Sequence, residues 1–234
     1  MDTLFSANGL SSFHRHDEDD MLTAMQDKLY SAEFMQMFEL GFPPVDHDQI
    51  EASMVRILEA VGEDPSREGL LKTPNRVARM YEELLDGYRT DPSKLLNGAL
   101  FDVDYDDMVI VRDIEFNSLC EHHMLPFYGH VHVAYIPRDK VVGLSKIPRI
   151  VDMFAHRLQV QERMTRQIAD FIQEVLDPQG VAVVADGIHM CSMIRGVKKH
   201  ESSMTTSSML GRFRSDHITR GEFMAHLARP STRR

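Results

Sequence analysis

Two short segments concentrate the residue types that bind soft metal ions or attack electrophiles, Cys120-Glu121-His122-His123 and His189-Met190-Cys191. Cys120 and Cys191 are the chain's two cysteines, and each stands beside histidines. A C-x-x-H spacing lets the Cys120 thiolate and the His123 imidazole reach one ion from a single turn, and Cys191 can complete a set of three from a second segment. Three protein ligands leave a fourth tetrahedral position open to water, the arrangement in which zinc brings that water's pKa near neutrality. Thiolate and imidazole donors favour zinc over magnesium or calcium, which prefer oxygen. The same spacing also fits a closed site with His122 or His189 as fourth ligand, two unrelated buried cysteines, or a nucleophilic Cys120 with His122 or His123 as its base. Residue types alone do not choose among these.

His122 adjoins one proposed ligand, and His189 precedes another by two residues, so on a strand His189 and Cys191 would share a face. Both histidines could border a metal-bound water and move protons there, or serve as hydrogen-bonded support. Lys146, Arg149, Arg195, Lys198 and Lys199 flank the same segments and form a local positive set suited to phosphate oxygens. The chain as a whole carries a formal net charge of -10, which argues against general nucleic-acid binding. Gln161-Glu162 opens a predicted helix, where a carboxylate suits the helix N-terminus and could also accept from a nucleobase edge.

These residues need a scaffold, and 234 residues with 43% hydrophobic content suffice for one main domain with an extension. Residues 1–20 mix small, polar and acidic types without a period and read as a tail, with no secretory signal. No apolar run reaches membrane-spanning length, so a cytoplasmic protein with no membrane partner is expected. Met21 to Leu40 reads as a Met- and Phe-rich helix, ended by Gly41-Phe42-Pro43-Pro44, whose apolar residues suggest packing on another subunit. Ile50 to Val61 has helical periodicity capped by Gly62. Thr73-Pro74 looks like an N-cap followed by a first-turn proline, and Gly87 like the end of the helix that follows. Beyond residue 100, strands are expected at Met108–Phe116, Tyr128–Ile136 and Val141–Val142, then helices at Ile147–Ala155 and Val160–Leu176. Pro148 fits if it lies in a first helical turn. Strands at Val181–Val184 and Ile188–Ile194, a pairing segment at Thr205–Phe213 and a helix at Glu222–Leu227 complete an α+β pattern: helices on one face of an antiparallel sheet. The extension (residues 1–45), a helical region (46–100) and a catalytic region (101–230) follow from this order.

Several segments together resemble the GTP cyclohydrolase I family: S-L-C-E-H-H-M-L-P-F at 118–127, G-L-S-K at 143–146, R-L-Q-V-Q-E-R-M-T at 157–165 and H-M-C-S-M-I-R-G-V at 189–197. K-T-P-N-R-V-A-R-M-Y at 72–81 and T-S-S-M-L-G at 206–211 are similar to further family segments, and the resemblance spans roughly residues 46–228. It implies a T-fold whose subunits join into a β-barrel toroid, commonly a decamer of two pentamers with sites between subunits. It implies hydrolysis of GTP by a zinc-activated water, with one Zn2+ per subunit, release of formate and formation of 7,8-dihydroneopterin triphosphate, the first step of pterin and tetrahydrofolate biosynthesis. Matched position by position, Cys120, His123 and Cys191 are the zinc ligands, and His122 and His189 handle protons. Glu162, with Gln161 nearby, anchors guanine, and Ser145 lies near the ribose. Lys146, Arg149 and Arg195 meet the triphosphate, with Arg76 a further candidate. Ser192 and Met164 depart from the apolar residue and the leucine frequent at those positions. A related T-fold enzyme with a covalent cysteine, needing no zinc, and a zinc-stabilised nucleotide-binding protein without turnover are the competing classes.

Overall fold

The computed structural model describes residues 24–228. The expected tail at 1–20 lies outside the described residues, as does the start of the first predicted helix. What is described of that helix is two pieces, α1 (24–29) and α2 (Ala32–Met37), separated at Tyr30–Ser31. Ser31 is the cause: its hydroxyl accepts from Phe34 N and so caps a new helix. Part of the apolar surface of this extension is used within the chain itself, while Tyr30 and Met37 stay exposed. Leu29, Phe34, Phe38 and Leu40 are buried in the chain's own core, with the Phe34 and Phe38 rings set edge-on against Phe171.

Helices α3 (His47–Ala60) and α4 (Thr73–Leu84) form a hairpin. Asp46 caps α3 through Gln49 N, and Gly62 follows its end at φ +86, the left-handed position that suits glycine. The predicted N-cap of α4 shifts by one residue, since Lys72 holds that place and Thr73 is already helical, with Pro74 in the first turn. Gly87 does not end α4. It sits inside a 3-10 turn (Asp86–Arg89), buried where a Cβ would stand 2.2 Å from Met153 O, so close backbone approach is what requires glycine there. Short α5 (Pro92–Leu96) is capped by Asp91.

The sheet has the order β5-β2-β3-β6-β7. Its strands are β2 (Val109–Cys120), β3 (Pro126–Ile136), β5 (Leu158–Gln159), β6 (Gly180–His189) and β7 (Met204–Gly211). All neighbours are antiparallel except β5, which runs parallel to β2 and makes the sheet mixed. Val141–Val142 belongs to β4 (Lys140–Val142), which pairs with β1 (Leu100–Asp102) in a separate two-stranded ribbon. Helices α6 (Lys146–Ala155) and α7 (Gln161–Leu176) cover one face of the main sheet. Val131, Val133 and Tyr135 of β3 and Val181, Val183 and Ala185 of β6 point into the core there, at the period of two that strands impose. Burying each large side chain in this layer contributes about 1.5–3 kcal/mol. Pro148 lies in the first turn of α6, where its missing N–H costs no helical bond.

The intervening residues Ala134, Ile136, Ala182 and Val184 face the other way. They meet Phe213 and Phe223 from α9 (Arg212–Ser215) and α10 (His217–Leu227), so the C-terminal helices cover one end of the opposite face. The closing helix is longer than predicted because Asp216 caps it, accepting from Ile218 N and Thr219 N. Among the described residues no helix is long and apolar enough to cross a membrane.

Candidate metal centre and nucleotide cavity

The two Cys/His segments meet because β2, β3 and β6 are neighbours. Cys120 ends β2, and residues 121–125 turn the chain into β3. In that turn Cys120 O accepts from both His123 N and Met124 N, and Met124 takes φ +52. β6 pairs with β3 as far as Phe127 and His189, which brings its end beside the turn. The strand expected through Ile194 stops at His189. The next residues form one helical turn, α8 (Met190–Met193), in which Ser192 Oγ donates to His189 O at 2.9 Å. The helical turn, not strand alternation, carries Cys191 to the same point as Cys120. The unusual serine at 192 has a local partner, and Met164 is a wholly buried filler of the core under α7.

The candidate ligand atoms of Cys120, His123 and Cys191 all lie within 4.8 Å of one another. The two sulfurs are 3.9 Å apart, both thiols are free, and His123 Nδ1 is 3.9 Å from Cys120 Sγ. Among the described residues neither His122 nor His189 belongs to this group, so the closed four-ligand alternative is not formed. His122 Nδ1 does lie 3.9 Å from Cys120 Sγ, with its ring largely exposed. Burial pushes the Cys191 thiol up, the adjacent Cys120 thiol adds to this, and Arg195 opposes it. A divalent cation supplies the positive charge that two neighbouring thiolates require. Two thiolates with one imidazole, and an open fourth position, suit zinc.

A cavity of about 620 Å³ opens beside this group, lined by Cys120, His122, Gln161, Glu162, His189 and Cys191 among others, a size that fits a nucleotide. His189 is half-buried, stacked on Phe127 at 4.6 Å between centroids and 4° between planes. Burial pushes its pKa down, and the Glu162 carboxylate opposes that. Glu162 is exposed in the first turn of α7. Gln161 beside it is fully buried, its side chain bonded within the chain. Arg195 reaches the metal group itself, with Nη1 2.9 Å from His123 Nε2.

The remaining predicted residues lie elsewhere within one chain. Ser145 lines a second cavity of about 790 Å³ with Pro148, Asp152 and residues 111–115 of β2. Lys146 is buried at the start of α6, Arg149 is exposed on the same helix, and Arg76 is exposed on α4. Sequence reasoning missed Gln159 and Arg163, which line the first cavity. Arg163 donates through Nε to Gln159 Oε1 and through Nη2 to Glu121 Oε2 and Leu158 O, bracing the metal-bearing turn against β5. Position along the chain hid them, since nothing in the sequence shows that β5 pairs with the end of β2.

Fold and site together define an α+β protein of T-fold type with a three-ligand Cys/His/Cys centre beside a nucleotide-sized cavity. The family model described as GTP cyclohydrolase I matches residues 50–228. The chain is 59% identical over 175 residues to "GTP cyclohydrolase 1" of Leptospira biflexa, covering 75% of this chain and 96% of that one. It is 57% identical to "GTP cyclohydrolase 1" of Chlorobium phaeovibrioides over 78% of this chain and 82% of that one. For the protein of that name from Methylococcus capsulatus the identity is 54%, over 78% of this chain and 99% of that one. The chain belongs to the GTP cyclohydrolase I family, and the Cys120, His123 and Cys191 cluster is consistent with that family's zinc site.

Proposed function

We infer that the protein is a GTP cyclohydrolase I. It hydrolyses GTP, releases C8 as formate and rearranges the remainder to 7,8-dihydroneopterin triphosphate, the first step of pterin and tetrahydrofolate synthesis. The observation that carries this reading is the convergence, in one cavity, of the Cys120 and Cys191 thiols with His122, His189 and the Glu162 carboxylate, in a chain matched to the family over residues 50–228. When bound by Cys120, His123 and Cys191, zinc supplies a Lewis acid that makes water nucleophilic near neutral pH.

The chain's own residues do the rest. Glu162 accepts hydrogen bonds from the guanine N–H groups and fixes the purine's orientation over the thiols. His122 and His189 move the protons at N7 and at the water oxygen as the imidazole ring opens. Ser145 serves the ribose, and Lys146, Arg149, Arg195 and Arg76 serve the triphosphate, a polyanion that an acidic protein binds only through such a local set.

The separation of Ser145 from the metal group within one chain supports sites built between subunits, so that one subunit's α6 serves the thiols of the next. The outer edge of β7, unpaired among the described strands, supports closure of the sheets into a larger barrel and a decamer of two pentamers in the cytoplasm.

The test incubates purified, metal-analysed protein with GTP and follows formate release and pterin fluorescence after oxidation. About one zinc per chain, with activity lost on chelation and in Cys191→Ala, is the expected result. Zinc retained without formate or pterin would refute the reading, and light scattering that finds an active monomer would refute the shared site.

A further inference from the structure

Gln161 is wholly buried where α7 begins, and its amide has four hydrogen-bonding positions to fill. Its Nε2 lies 2.9 Å from Ala185 O, 2.8 Å from Met204 O and 3.1 Å from Thr206 Oγ1. Two of these are carbonyl oxygens, which only accept, so this end of the amide is the NH2. The threonines agree. Thr165 Oγ1 donates to Gln161 O at 2.8 Å, so the 2.6 Å contact between Thr165 Oγ1 and Thr206 Oγ1 uses the Thr206 proton, and Thr206 is left as an acceptor that shares one of the two amide hydrogens with a carbonyl.

Oε1 therefore points the opposite way, 2.9 Å from His189 Nε2. A carbonyl oxygen cannot donate, so His189 Nε2 carries the hydrogen. Stacking on Phe127 holds the same ring by its face. Gly187 keeps the space open, because a Cβ there would stand 2.3 Å from Gln161 Oε1.

We propose that Gln161 is a positioning residue that holds His189 as its Nε2–H tautomer, making Nδ1 the ring nitrogen that meets substrate. The proposal rests on the reading of His189 as a proton-handling group. It gives Gln161 a different part from a direct guanine contact, since both amide hydrogens are engaged inside the chain. It also explains why a glycine stands at 187 in the interior of a strand, where glycine otherwise weakens the sheet.

Two variants test it in the zinc-loaded protein. Gln161→Met removes the acceptor at similar length, and Gly187→Ala displaces Oε1 while leaving both partners in place. The first readout is the magic-angle-spinning 15N spectrum of histidine-labelled protein, recorded above the ordinary histidine pKa, with His189 assigned by the signal lost in His189→Asn. The expected wild-type signal has Nε2 protonated and Nδ1 bare, and both variants show mixed tautomers with zinc content unchanged. The second readout is kinetic: kcat falls about 10- to 100-fold while KM for GTP stays within about threefold. A wild-type ring protonated at Nδ1, or a tautomer indifferent to Gln161→Met, overturns the proposal. A raised KM with intact kcat overturns it too, by making Gln161 a direct GTP contact. Normal turnover by His189→Asn would instead remove the underlying reading of His189, and the 15N spectrum still decides the tautomer on its own.

Discussion

Replacing Arg157 by methionine should destabilise the protein by about 3 kcal/mol, although this side chain touches neither cavity. Its guanidinium is completely enclosed and forms no ion pair with a carboxylate among the described residues, although the Glu39 carboxylate favours its charged form. Instead Nε donates to Met153 O at 2.8 Å, Nη1 to Phe38 O at 2.6 Å and Nη2 to Gly87 O at 3.1 Å, and the group lies 4.7 Å from the Phe154 ring centroid. Three bonds from a charged donor are worth about 1.5–3 kcal/mol each, or roughly 4–9 together. Against this, burial pushes the Arg157 pKa down to about 10. That is roughly two and a half tenfold steps below ordinary arginine, a cost of about 3 kcal/mol. The difference centres near 3 kcal/mol, or about 6–12 °C in melting temperature for a chain of this length. Urea unfolding at fixed protein concentration measures it, and Arg157→Lys, which keeps the charge but loses the fork, should fall between. Because Phe38 O belongs to the N-terminal extension, amide exchange over residues 31–40 should quicken in both variants. An Arg157→Met protein within about 0.5 kcal/mol of wild type, with unchanged exchange, would refute the reasoning.

Cys191→Ala should lose zinc and formate release together while the sheet persists, read by metal analysis and circular dichroism; a variant that keeps stoichiometric zinc would contradict the ligand set. Gly129→Ala would place a Cβ 1.9 Å from Asp186 O in the β3 and β6 pairing, so a loss of about 1–3 kcal/mol is expected on denaturation, and a neutral result would count against that close approach. His132 is half-buried between Asp113 and Asp186, and burial lowers its pKa despite both carboxylates, with His130 and Arg112 adding to the lowering. The unfolded chain then binds the proton more readily, so this contribution is complete above the ordinary histidine pKa and is lost as pH falls through the folded-state value. Thermal melts across that range should slope less in His132→Asn than in wild type; equal slopes would remove His132 as the cause.

Much of the scaffold could be read from periodicity. The alternation of Val131, Val133 and Tyr135 and the stripe of Met164, Ile168, Phe171 and Ile172 mark one buried face each, and burial is what such patterns record. Where local chemistry competes with periodicity, the reading failed. Ser31 interrupts a run of apolar residues by offering a cap, and Met190 to Met193 look like a strand but form a helical turn. The burial of Phe34 and Phe38 within the chain was not legible, because nothing local announces a contact with Phe171, far along the chain. At the site, the three ligands were legible because metal chemistry restricts residue type and spacing. Arg163 and Gln159 were not, because their part depends on β5 lying parallel to β2, a pairing set by tertiary structure.

The two thiols carry one more consequence, for redox chemistry. Cys120 and Cys191 are 71 positions apart in the chain, yet their sulfurs lie 3.9 Å from each other. Closing that gap to the roughly 2.05 Å of a disulfide requires two electrons and the two thiol protons to leave, with oxygen as the electron acceptor in air. A bound cation holds both thiolates in coordination and keeps them from attacking each other or an oxidant, acting as a protecting group. Stripped of it in air, the pair can cross-link, and re-adding zinc alone cannot then restore the centre; a dithiol reductant must come first. Metal supply and thiol oxidation would therefore compete for one pair of atoms, and loss of the ion in air is expected to leave a Cys120–Cys191 cross-link that mass spectrometry without reductant would detect.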